Sequence, residues 1–207
     1  MRSTSTRFSA VSRGPSRLAT LLWGSAAVLL VLGVFVLPDH LVRNRGVGDA
    51  APTFSAAIIA PGEGLRTTSD YHGSVTLFEF WTTYCANCPL ALRELERLHR
   101  ELGPAGLRVV AVSLDGRGQS TRVREMVRDL GLTFENLHDP GGDAERAFEV
   151  YGVPTSVLVD RTGIVRRRSS GILPGSDTLH VSTWTTDDGR RTILELLKER
   201  PIERTGF

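Results

Sequence analysis

An α/β sandwich around a mixed sheet is the fold class this sequence predicts. Two observations carry it. Short apolar runs alternate with stretches of helical spacing, and a turn signal late in the chain joins two runs as a hairpin. In chain order, residues 74–81 (SVTLFEFW) form an apolar, β-preferring run that reads as a buried strand. Residues 88–102 place Leu92, Leu95, Leu98 and Leu102 on one helical face. A second apolar strand follows at 107–114, then a helix over 119–130 with Val123, Met126, Val127 and Leu130 on one side, stopped by Gly131. Residues 144–151 read as a short helix closed by Gly152. Strands at 155–160 and 164–169 flank the turn Arg161-Thr162-Gly163. A last helix over 188–200 carries Ile193, Leu194 and Leu197 as an apolar stripe.

The 207 residues suffice for one ordinary domain with about 50 to spare. An apolar content of 41% with 23% charged residues excludes a disordered chain. The net charge of +2 is unevenly placed. Residues 1–17 hold four arginines and no acid, residues 38–48 add a net +1, and residues 49–207 are left with −3. The body is mildly acidic, which argues against a nucleic-acid partner.

Residues 18–37 (LATLLWGSAAVLLVLGVFVL) contain no charge. At about 1.5 Å per residue, a helix of this length spans about 30 Å, the hydrocarbon thickness of a bilayer. The four preceding arginines orient it with the N-terminus in the cytoplasm and the rest outside. A cleaved signal peptide is the alternative, but its apolar core usually runs about 7–15 residues to a small-x-small site. Here the exit is Val34-Phe35-Val36-Leu37-Pro38-Asp39. The expected organisation is a cytoplasmic basic tail (1–17), a transmembrane signal anchor (18–37), a linker (38–48), a folded extracytoplasmic domain (49–200) and a C-terminal tail (201–207).

The chain has two cysteines, Cys85 and Cys88. This count excludes a disulfide-rich scaffold and a four-cysteine zinc site. The pair lies where the strand 74–81 hands over to a helix beginning near Ala86. A thiolate at a helix N-terminus meets unpaired N–H groups and the positive end of the dipole, which lowers its pKa. Cys85 is the candidate nucleophile, and Cys88, one turn on, can close a disulfide onto it. Three other readings stand beside this one. The pair could hold zinc or copper, although the nearest histidines, His72 and His99, form no His-x3-5-His pair. A peroxidase pattern (PxxxTxxC) is matched at Thr82 but has Phe78 in place of its proline. A structural bridge is the third, though one closing so short a loop constrains the unfolded chain little.

Three segments together resemble the TlpA/ResA-like thioredoxin family. Residues 47–54 (VGDAAPTF) are similar to its VGxxAPxF opening, and residues 80–88 (FWTTYCANC) to its FWAxWCxxC active site. Residues 151–156 (YGVPTS) with 160–163 (DRTG) are similar to its YGVxxxPTxFLIDxxG region, shortened before the proline. Trp184 ahead of the last helix resembles the family's closing segment, so the likeness covers residues 47–200. It implies a thioredoxin-like fold and a thiol-disulfide oxidoreductase without cofactor. Cys85 would be the nucleophile and Cys88 the resolving cysteine of a redox-active disulfide. Taken alone, Pro154 reads as an ordinary trans proline opening a strand; the resemblance implies a cis-proline facing the cysteines. The Val153 backbone would then help dock an extended substrate, with Trp81 and Tyr84 shielding the cysteines and forming part of the docking surface. The implied partners are extracytoplasmic protein dithiols and disulfides and a CcdA/DsbD-like membrane electron donor. Cytochrome c maturation is the implied pathway and reduction the implied direction, with a disulfide-forming oxidant as the rival.

Glu79 interrupts an apolar strand six residues before Cys85; this resembles the position of the buried acid in thioredoxins, where TlpA-like members often carry asparagine. Buried there, its pKa would rise and it could take the Cys88 proton; facing outward, it would pair with an arginine instead. Several positions depart from the family pattern. Ala86-Asn87 replaces the common proline-containing dipeptide, Pro89 is expected to remove an early helical bond, and Arg93 stands where many relatives kink the helix with proline. Arg166-Arg167-Arg168 reads as a solvated edge strand guarded by charge, and His138 as a loop residue.

Overall fold

A computed structural model describes residues 46–170 and 183–199. The expected tail 1–17, anchor 18–37, most of the linker and the tail 201–207 lie outside the described residues. Among the described residues no helix is long and apolar enough to cross a membrane.

The elements are β1 (Ser55–Ala60), β2 (Leu65–Thr67), β3 (Val75–Trp81), α1 (Cys88–Leu102), β4 (Leu107–Ser113) and α2 (Ser120–Asp129). They continue as β5 (Glu135–His138), α3 (Asp143–Ala147), β6 (Thr155–Val159), β7 (Val165–Ser170) and α4 (Asp187–Lys198). The described strands form one sheet ordered β2-β1-β5-β4-β3-β6-β7. β3 pairs in parallel with β4, and β4 with β5, whereas β6, β7, β1 and β2 add antiparallel partners. The expected mixed sheet is therefore present, with β3 near its middle.

Helices cover both faces, so all seven residues of β3 are buried and the strand reads as a continuous apolar run. Its alternate residues divide between two cores. Val75, Leu77 and Trp81 pack with Leu92, Leu95, Leu98 and Leu102 of α1, Val123 and Val127 of α2, and Ile193 and Leu196 of α4. Phe78 and Phe80 face the opposite side, against Phe54, Tyr71, Ala144 and Phe148. The four α1 leucines are each at most 6% exposed, and burying each one contributes about 2 kcal/mol. Trp184, 2% exposed, closes the first core ahead of α4. Gly189 in the first turn of α4 lies so close to Thr183 that a Cβ would meet its carbonyl oxygen at 2.0 Å.

Four elements differ from expectation. β2 and β5 are absent from the sequence reading because they are short, β5 being only Glu-Asn-Leu-His; β1 (SAAIIA) is absent from it too, although it is six residues long and mostly apolar. His138, expected in a loop, is instead a buried strand residue paired with Ser113 of β4. The helix expected over 144–151 stops at Ala147, and Glu149 takes a left-handed φ of 48° that no helix accommodates.

The β6–β7 turn matches its prediction. Gly163 has φ 84°, and a Cβ there would stand 3.0 Å from the His72 ring. β7 is an edge strand, as the arginine triplet suggested, but the three side chains are tied down. Arg166 pairs with Asp160 and Arg167 with Asp188, while Arg168 donates to the carbonyls of Phe148 and Glu149.

Candidate active site

The centre of the sheet delivers the cysteines to its edge. After Trp81 the chain turns through residues 82–87, held by Cys85 N–H donating to the Thr82 carbonyl at 3.3 Å. α1 then begins at Cys88 with Asn87 as its N-cap residue. Its first i→i−4 bond runs from Ala91 N–H to the Asn87 carbonyl. Pro89 therefore lies among the first-turn positions whose N–H groups have no helical acceptor. The expected loss of an early bond does not occur. α1 also runs without interruption through Arg93.

Cys85 and Cys88 form a disulfide, with Cα atoms 5.4 Å apart. Cys88 is fully buried and Cys85 half-buried, so an incoming group meets the Cys85 sulfur. The Cys88 N–H points at that sulfur from 3.1 Å, the contact that would stabilise negative charge on it after reduction.

Glu79 is 1% exposed and faces inward, which removes the alternative of a surface ion pair. It shares strand parity with Leu77 and Trp81, the side of β3 on which Cys88 packs. In the sheet it pairs with Ala111 of β4 and Ser156 of β6, and the Ser156 hydroxyl donates to Glu79 Oε2. Burial pushes the Glu79 carboxyl up to about 7, and the Ser156 hydroxyl holds it lower than burial alone would. Ser156 lies in the YGVPTS segment, but only strand register makes it the partner of this acid.

The same register brings β6 to the cysteines. Phe80 pairs with Thr155, which sets the Val153–Pro154 peptide beside the exit of β3. That peptide is cis, and Val153 and Cys85 pack against the same core. Tyr84 and Tyr151 are 74% and 83% exposed, one from each of these two segments. Trp81 is fully buried and offers no surface to a substrate. Its position is beneath the site, not on a docking face.

The AhpC/TSA family profile matches residues 47–168, more than half of the chain. The chain belongs to the AhpC/TSA family. Within this thioredoxin-like family, it is similar to the thiol-disulfide oxidoreductase ResA of Oceanobacillus iheyensis. The two are 30% identical over 159 residues, covering 76% of this chain and 81% of that one. It is also similar to the thiol:disulfide interchange protein DsbE of Pasteurella multocida, 26% identical over 84% of this chain and 94% of that protein. A crystal structure assigned as DsbE from Chlorobium tepidum matches with a TM-score of 0.60 and 29% identity, over 73% of this chain and 97% of that one. This AhpC/TSA member is a thiol-disulfide oxidoreductase of the ResA/DsbE type, and Cys85–Cys88 is its disulfide. Phe78, at the proline position of the peroxidase pattern, is a fully buried strand residue in the aromatic core. Among the described residues no group of three or more His, Cys, Asp or Glu is placed to hold a metal.

Proposed function

We propose that the protein reduces disulfides of extracytoplasmic proteins. The observation that carries the reading is an outer Cys85 sulfur bonded to a buried Cys88, on the same side of β3 as a buried Glu79 whose carboxyl is pushed up to about 7. In the reduced enzyme the Cys85 thiolate attacks a substrate disulfide. A mixed disulfide forms and one substrate thiolate leaves. Glu79 takes the Cys88 proton, and the Cys88 thiolate attacks the Cys85 sulfur. That step closes Cys85–Cys88 and releases the second substrate thiolate, so two electrons pass from enzyme to substrate. Val153, cis-Pro154 and Tyr84 dock an extended substrate segment beside the sulfur.

Residues 18–37 anchor the protein in the membrane with the redox domain outside. A membrane dithiol donor of the CcdA/DsbD type restores the reduced state, and cytochrome c maturation is the pathway served. The rival direction, disulfide formation, is separated by the equilibrium potential. A value near roughly −270 mV supports a reductant and one near roughly −120 mV an oxidant. The direct test is insulin-disulfide reduction by the full chain in detergent, with dithiothreitol as electron source. Cys85→Ser is expected to lose essentially all turnover; activity retained in that variant rejects the nucleophile assignment.

A further inference from the structure

Asp115 is a buried carboxylate that the exchange steps do not use. It follows β4, is 1% exposed, and has no cation beside it in any described ion pair. Its oxygens instead accept from the turn that presents Cys85. Thr83 N–H donates at 2.9 Å and the Thr83 hydroxyl at 2.6 Å. The Ser113 hydroxyl adds a third bond at 2.8 Å. The Asp115 backbone is fixed in turn, since its carbonyl lies 2.8 Å from His138 Nε2 at the end of β5. His138 is thus one end of a polar bracket that ties the tips of β4 and β5 to the redox turn. A desolvated carboxylate without a countercharge persists only when such donors satisfy it.

We propose that Asp115, acting through Thr83, is the positioning residue that keeps the Cys85 sulfur on the Cys88 N–H once the disulfide opens. In the oxidised protein the S–S bond itself holds Cys85 against Cys88, and the Asp115–Thr83 bonds are a second tether. Reduction removes the first tether. The turn 82–87 then depends on Thr83 to stay seated, and with it the N–H contact that favours thiolate over thiol at Cys85. The inference rests on Cys85 being the nucleophile.

The test is the rate at which iodoacetamide alkylates the reduced full chain at neutral pH, with the labelled cysteine identified by mass spectrometry. Thr83→Val preserves the Asp115 charge and the backbone N–H bond and deletes only the hydroxyl. One hydrogen bond to a charged group is worth enough to slow Cys85 alkylation about fivefold. Thr83→Ser is expected to restore the rate, and Asp115→Ala to lower it further where it folds. An unchanged or faster rate in Thr83→Val, with Cys85 still labelled first, overturns the proposal, even if the melting temperature falls. Labelling of Cys88 before Cys85 in the unsubstituted protein rejects the nucleophile reading itself.

Discussion

Two carboxyl groups buried in the same sheet are shifted in opposite directions. Glu79, in the middle of β3, receives one hydroxyl and sits with its carboxyl pushed up to about 7. Asp160, at the end of β6, is 4% exposed, and burial alone would raise it as well. Its oxygens, however, accept from the Thr162 hydroxyl at 2.7 Å, Thr162 N–H at 2.8 Å, Ile164 N–H at 3.0 Å and Arg166 Nε at 2.5 Å. These donors hold its carboxyl below the ordinary value. Burial raises both carboxyls, but alone it does not decide their charge. The balance between burial and the N–H and O–H groups aimed at the carboxyl does. Asp160 has the environment of a structural anion, which locks the β6–β7 turn. Glu79 has that of a group meant to gain and lose a proton near neutral pH.

The largest expected effect comes from breaking the structural member. Asp160→Ala leaves two backbone N–H groups and an arginine without their acceptor, and should lower unfolding stability by roughly 3 kcal/mol in urea titrations at pH 7. Because the folded carboxyl lies below its unfolded value, its stabilisation is present above about pH 4 and is lost as pH falls through the folded value. The difference between the parent and Asp160→Ala should therefore shrink in strong acid. A loss that is equal at pH 7 and pH 2 would contradict the anionic assignment.

Glu79→Gln should act in the opposite sense. The folded carboxyl keeps its proton up to about pH 7 while the unfolded one loses it near 4.5. Stability therefore falls as pH rises between these values and stays lower above, a cost on the order of 3 kcal/mol. Glutamine does not ionise, so the variant should match the parent near pH 4 and exceed it by roughly 3 kcal/mol at pH 8. Its disulfide exchange should meanwhile lose the titration near neutrality. Parallel stability curves from pH 4 to pH 8 would remove the distinction between the two carboxylates.

How far this contrast was legible in the sequence follows from the range of the forces involved. The strand containing Glu79, the helix behind Cys88 and the turn at Gly163 are local patterns, and the pattern of apolar residues was enough for each. β5 was not legible, because Glu135-Asn136-Leu137-His138 is strand only through its pairing with β4 and β1. The same limit applies to the side-chain partners. Ser156 stands 77 positions from Glu79 and Asp115 stands 32 from Thr83, so neither pair leaves a signal at any local spacing. Pro89 failed in the other direction: its missing N–H looked disruptive until the helix start at Cys88 put it in the first turn. Trp81 likewise sits in a cysteine-flanking motif, yet strand parity sends it into the core rather than toward a substrate.

The smallest and most specific effect isolates the single donor that separates Glu79 from an acid held by burial alone. Ser156→Ala removes that hydroxyl and leaves the strand pairing intact, because the Glu79–Ser156 register is a backbone property. The ionised carboxylate loses about 1 kcal/mol of stabilisation, so the Glu79 midpoint should rise from about 7 by up to about one pH unit. The sign is fixed: a hydroxyl can donate to the charged form, and its loss favours the protonated one. Carbon-13 NMR of the Glu79 carboxyl across pH reads the midpoint directly, and Ser156→Thr should return it. A midpoint that stays put or falls would mean that the hydroxyl does not stabilise the charge. At pH 7 the higher midpoint leaves fewer ionised carboxylates to accept the Cys88 proton. Closure of the mixed disulfide should then slow by a small factor, about two- to threefold, while the first attack by Cys85 is unaffected. If both steps slow together, Ser156 acts on the fold of the site and not on its proton.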